Sequence, residues 1–187
     1  MRALVQMLAI SVLFAGLRLP AELPAASPVE AMATAEMLYM LTKFIQWPRH
    51  GGGEGLTSGQ FVVGIVGRDP IESMLWQQLE GQLVAGRPIV LRQVRNMTEL
   101  RKCRLVFIGA SERKRVRQIL ETLAGSGALT IATIDDFGSS GGMIGLRRTA
   151  GKPELSINAD QLRRAGLVAS SKLLRLATIV RTEGESE

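Results

Sequence analysis

Two kinds of apolar spacing alternate along this 187-residue chain. Val29, Met32, Ala33, Met37, Met40, Leu41 and Phe44 recur at intervals of three and four, which predicts a helix over 29–46 with that stripe facing inward. Pro48 disfavours helical angles at Trp47 and closes it. A loop over 49–60 follows, with five glycines and the single His50, which reads as solvated. Residues 61–66 are continuously apolar and read as a central strand. After a turn at 67–70, Met74, Leu75 and Leu79 mark a helix over 71–82. Strands are predicted at 89–91, 105–108 and 129–134, and a short helix at 96–101. Ser111 is placed to cap a helix that buries Val116, Ile119, Leu120 and Leu123. Two strands at 142–147 and 154–157 are joined by a turn around Thr149-Ala150-Gly151. A short helix covers 158–165, Gly166 ends it, and Ser170 opens a last helix through Val180.

Strands that alternate with helices imply a parallel sheet covered on both faces. The expected fold is α/β: a three-layer sandwich whose mostly parallel sheet carries an antiparallel edge hairpin. One domain spans 27–182, and 183–187 reads as a flexible tail.

Residues 1–26 change the picture of where the protein works. Arg2 precedes an apolar run from Ala3 to Leu17, too short for a comfortable membrane span and of the right length for an export signal. Cleavage is expected after Ala25 or Ala26, and the remaining chain is expected in the periplasm. The formal charge of +6 for the whole chain falls to about +5 once Arg2, Arg18 and Glu22 are removed. A basic body of this kind suits an acidic partner or peripheral contact with an anionic inner-membrane surface. Nucleic acid is not expected as a partner in that compartment, and 4% aromatic residues provide no stacking platform.

Composition excludes several chemistries. One Cys cannot form an intramolecular disulfide, and one His with one Cys cannot make a structural zinc site. No phosphate-binding glycine loop follows a strand, and Ser139-Ser140-Gly141-Gly142 lacks the strand-to-helix setting of a nucleophile. No catalytic residue, metal or cofactor is expected. Ligands of doubly wound sheets bind beyond the carboxyl ends of the strands, which selects Arg68, Asp69, Ser111 and Asp135. Lys172 and Arg175 are basic candidates on the last helix, where Leu173, Leu174 and Leu176 point to more than one face. The cluster Arg101, Lys102, Arg104, Arg113, Lys114, Arg115 and Arg117 reads as a solvated helix face.

Six motifs in fixed order resemble the YfiR family of periplasmic regulators. They are Phe44-Ile45-Gln46-Trp47-Pro48; the strand Val63-Gly64-Ile65-Val66 with Gly67-Arg68-Asp69-Pro70; Cys103 to Gly109; Leu129-Thr130-Ile131 with Asp136-Phe137; Gly141-Gly142-Met143-Ile144; and Ser156-Ile157-Asn158 with Ala165 to Leu174, which includes Ser170-Ser171. The resemblance covers 29–180. It implies a non-catalytic repressor that binds the periplasmic sensor portion of an inner-membrane diguanylate cyclase and keeps cyclic-di-GMP and biofilm formation low. It also implies homodimerisation, and redox control through paired cysteines. This sequence departs from the last pattern: Gly64 stands where some relatives carry the partner of Cys103. The competing reading is a periplasmic small-ligand sensor that uses the strand ends or Lys172 and Arg175.

Overall fold

The computed structural model describes residues 27–47, 59–149 and 152–183. Residues 1–26 with the expected export signal, Pro48, the segment with His50, Ala150-Gly151 and the last four residues lie outside them.

Helix α1 (Pro28–Phe44) opens with a capping box. The Ser27 hydroxyl accepts from the Glu30 amide, and the Glu30 carboxylate accepts from the Ser27 amide. The helix is followed by β1 (Ile45–Gln46), β2 (Phe61–Val66), α2 (Glu72–Leu79), β3 (Leu83–Val84), β4 (Arg87–Val94), α3 (Met97–Leu100) and β5 (Leu105–Ile108). A 3-10 turn (Ala110–Arg115) leads into α4 (Val116–Leu123) and β6 (Leu129–Ala132). The chain ends with β7 (Ile144–Thr149), β8 (Lys152–Asn158), α5 (Ala159–Arg164), β9 (Val168–Ala169), α6 (Ser171–Leu176) and β10 (Thr178–Val180).

The main sheet has the order β10-β8-β7-β6-β5-β2-β4-β3. Strands β4, β2, β5, β6 and β7 are parallel neighbours, and β7–β8 is an antiparallel hairpin. Every residue of β2, β5 and β6 is buried, as their continuous apolar runs require. On one face, Phe61, Val63, Ile65, Leu105 and Phe107 pack against α1, α2, α5 and α6. On the other, Val62, Val66, Val106 and Ile108 pack against α3 and α4. The three-layer α/β architecture expected from the sequence is therefore present.

Four local expectations are corrected. The inward face of α1 is Ala31, Thr34, Ala35, Leu38, Leu41 and Thr42, whereas Val29, Met32, Ala33 and Met40 face solvent. Apolar residues surround most of this helix, and the face with two alanines is the one against the core. The helix stops at Phe44 because Ile45 and Gln46 pair antiparallel with Ala169 and Val168. The last helix stops at Leu176, since Ala177 is extended and the β-branched run Thr178-Ile179-Val180 pairs in parallel with β8. Finally, β3 and β4 form a hairpin through Ala85 (φ 49°) and Gly86 (φ 75°), and β4 runs to eight residues.

Candidate functional site

The chain leaves β2 to one side for β4 and returns to β5 on the other. This reversal puts the topological switch point between β2 and β5, where α/β sheets usually open a ligand crevice. Here the protein's own groups fill it. Gly67 takes a positive φ of 75° and turns the chain out of β2. Beyond it, the Asp69 carboxylate is buried and accepts three hydrogen bonds: from the Ile71 amide at 3.1 Å, the Ala110 amide at 2.9 Å and the Thr133 hydroxyl at 2.6 Å. The Ser111 hydroxyl does not cap α4, which begins five residues later with no side-chain cap; it accepts from the Arg68 amide at 2.8 Å. A Cβ on Gly109 would stand 2.6 Å from the Arg68 carbonyl oxygen, so the two strand-end loops run in direct contact. Gln93 adds a bond from its side-chain amide to the Gly67 carbonyl at 2.9 Å.

Beside this closed crevice lies an open cleft of about 480 Å³, lined by Arg68, Glu72, Arg95, Asn96, Glu112 and Arg115. Arg115 pairs with Glu112 at 3.1 Å. The structure thus brings Arg68, Asp69 and Ser111 together. Asp135 stands apart, exposed, in a charge chain with Arg113 (2.9 Å) and Arg147 (3.9 Å). Arg147 also pairs with Glu154 at 2.9 Å, and this hydrogen bond holds the guanidinium charged beyond its usual range. Exposed pairs of this kind contribute little stability. Lys172 and Arg175 lie on the exposed side of α6, and no hydrogen bond or ion pair joins them to the strand-end groups.

The motif residues knit distant segments together. The Trp47 ring meets Phe61 edge-on with centroids 4.9 Å apart. Asn158 is fully buried: it caps α5 through the Gln161 amide and donates to the Gly138 carbonyl at 2.9 Å and the Thr182 hydroxyl at 3.0 Å. The Met143 amide donates to Thr130 at 3.1 Å. Ser170 caps α6, while its amide donates to the Phe44 carbonyl at 2.9 Å; Ser171 is the exposed first residue of that helix. Gly141 has a φ of 96°, and a Cβ on Gly142 would lie 2.3 Å from the Phe137 ring. Replacing Gly142 by Val is expected to destabilise by roughly 1–3 kcal/mol, because the buried ring must move. Urea titration of Gly141→Val and Gly142→Val checks this, and two unchanged midpoints would reject it.

Cys103 is buried, its thiol 3.6 Å from the Glu99 carbonyl oxygen, and burial pushes its pKa from 9.0 to about 11. Such a thiol is inert toward electrophiles in the folded state. Above pH 9 the unfolded thiol ionises while the folded one keeps its proton. Stability is therefore expected to fall as pH rises from about 9 toward 11, and Cys103→Ala removes that part of the dependence. Native labelling by iodoacetamide at pH 8 as fast as that of a free thiol would contradict this.

The basic cluster is only partly a solvated face. Arg101 donates to the carbonyls of Thr122 and Ala124 at the end of α4, and Arg113 and Arg115 are paired. Arg104 is the exception: it is buried. Sequence reasoning also misses Arg87, although it stands two residues before Ile89 and shares that residue's inward face by strand alternation. Among the described residues there is no group of three or more His, Cys, Asp or Glu able to hold a metal ion.

A family profile described as YfiR/HmsC-like (DUF4154) matches residues 31–178, most of the chain. The chain belongs to the YfiR/HmsC-like family. No curated protein matches it. Among solved structures, a conserved domain protein from Vibrio cholerae O1 biovar El Tor is 12% identical, with a TM-score of 0.51 over 83% of this chain. The ABC domain from Streptococcus pneumoniae, solved in complex with L-Trp, is 10% identical, with a TM-score of 0.51 over 81% of this chain. This chain spans 60% of the length of each, and at such identities the likeness is one of fold. Among the described residues, no helix of this YfiR/HmsC-like chain is long and apolar enough to cross a membrane.

Proposed function

We propose that this protein is a periplasmic regulator that represses an inner-membrane diguanylate cyclase by binding its periplasmic sensor region, without chemistry of its own. Membership of the YfiR/HmsC-like family over residues 31–178 carries this reading. Repression by binding needs a differential affinity for the inactive cyclase. Moving the cyclase from mostly active to mostly inactive takes a preference of roughly 5.5 kcal/mol, which calls for an interface with apolar anchors. The final helix supports that need: Leu173 is buried, but Leu176 is 79% exposed and Ile179, just beyond it on β10, is 50% exposed. Deleting the gene is expected to raise cyclic-di-GMP and cell attachment, and deleting the cyclase as well is expected to abolish the rise. Leu176→Asp is expected to reproduce the deletion while leaving the melting temperature unchanged. Unchanged cyclic-di-GMP in the single deletion under several growth conditions would overturn the proposal.

The open cleft of about 480 Å³ beside Arg68 and Arg95 favours a second reading, a small-ligand sensor. It predicts a saturable thermal shift with one compound of a periplasmic metabolite set, lost in Arg68→Gln.

A further inference from the structure

Arg87 opens β4, Arg104 precedes β5, and Phe61 opens β2 between them. These groups share the amino-terminal end of the sheet, opposite the strand-end crevice. The main chain of Arg104 is fixed by its amide to the Val62 carbonyl at 2.8 Å and its carbonyl to the Leu129 amide at 2.9 Å. The residue is only 9% exposed, and its guanidinium carbon lies 5.8 Å from the centre of the Trp47 ring. Arg87 is half-buried and leaves a route to solvent.

The polar atoms here are not satisfied. Arg104 Nε, Arg104 Nη1 and Arg87 Nη1 are all buried and have no hydrogen-bond partner. No described carboxylate pairs with either guanidinium. Buried donors are paired in more than nine cases in ten, and a buried cation without a counter-charge is a large penalty. Burial, and then the charge of Arg87, depress the pKa of Arg104. Two neighbouring cations that retain their charge call for an anion between them.

We propose that Arg87 and Arg104 form a binding site for a phosphate-class dianion, bounded by Trp47. The charge of such an anion matches that of two guanidiniums. Its four oxygens can accept from both guanidiniums, whereas one carboxylate provides half the charge and two oxygens. This site is separate from the surface proposed for the cyclase, and its test does not depend on that reading.

The test uses Trp47 as reporter in the mature chain carrying Trp76→Phe, since Trp76 on α2 is the other tryptophan. Inorganic phosphate, glycerol 3-phosphate, acetate and chloride are titrated at constant ionic strength, with tryptophan emission and thermal melting as readouts. Phosphate is expected to change emission saturably and to raise the melting temperature by several degrees. An equal or tighter response to glycerol 3-phosphate assigns the site to phosphate esters, and a response to phosphate alone assigns it to the free ion. Arg104→Met is expected to abolish the response and, in phosphate-free buffer, to melt at or above its parent. Arg87→Gln, at a half-exposed position, keeps the test available if Arg104→Met does not fold. The proposal is overturned by the absence of a saturable response in the parent, by an equal response to acetate, or by a response that survives both substitutions.

Discussion

Asp69→Ala is expected to lower the stability of the domain by roughly 3–5 kcal/mol. The carboxylate accepts the Ile71 and Ala110 amides, and it also takes the Thr133 hydroxyl. Alanine takes this acceptor away from all three donors, and each such loss is worth about 1–3 kcal/mol, less where water can enter. The three donors belong to the loops after β2, β5 and β6, so the strand ends would loosen together. Asn is not a neutral replacement. Whichever way its amide turns, the NH₂ group faces a backbone N–H, at Ile71 or at Ala110. Asp69→Asn is therefore expected to fall between wild type and Asp69→Ala. Urea unfolding checks both, with unchanged m-values marking the effect as one on stability. A loss below 1 kcal/mol for Asp69→Ala would show that the strand ends are held by other means.

The same residue shows where sequence reading stops. Asp69 follows a strand and a glycine, the setting of a ligand-binding carboxylate, and the sequence pattern selects it with Arg68 and Ser111. Three partners that lie 2, 41 and 64 residues away decide instead what its oxygens do. Such long-range satisfaction leaves no mark on local spacing. The central strands are legible because both of their faces are buried, and a short unbroken apolar run bounded by turn residues is what that burial demands. Helix α1 is legible as a helix but not in its orientation, since apolar residues lie around most of it. The β3–β4 hairpin is hidden by Ala85, which occupies a left-handed position where Asn, Asp or Gly normally advertises a two-residue turn. In the last segment, the three β-branched residues of β10 blend into a helical pattern that the extended Ala177 interrupts.

Arg104 illustrates the converse. Seven basic residues within 101–117 suggest a solvated face, and for the exposed members the structure agrees. Yet Arg104 directly precedes a strand that is buried along its whole length, and the chain cannot bury Leu105 to Ile108 without drawing its neighbour inward. Charge counting treats such residues as equivalent, whereas position relative to a buried strand separates them.

Gly64→Cys is expected to create a disulfide with Cys103 and to convert this chain from redox-inert to redox-sensitive. A Cβ placed on Gly64 lies 3.5 Å from the Cys103 Cβ, within the span that a disulfide bridges, and 2.7 Å from its sulfur. The same closeness makes Gly64→Ala unfavourable, because a methyl group cannot bond to the sulfur it meets, and Val94 closes the other side at 3.1 Å. Gly64 thus fits its surroundings either with no side chain or with one that joins the thiol. The bridge would close a loop of about 40 residues and remove about 4 kcal/mol of conformational freedom from the unfolded chain. For a domain of this size, each kcal/mol moves the melting temperature by about 2–4 °C, so oxidised and reduced Gly64→Cys are expected to differ by about 8–16 °C. Wild type is expected to melt identically with and without reductant, and Gly64→Ala to melt below it. Calorimetry of the three proteins, with thiol titration under denaturing conditions to count free sulfhydryls, makes the comparison. Two free thiols in the oxidised variant, or a melting temperature indifferent to reductant, would show that the Gly64 and Cys103 positions are not within bonding reach.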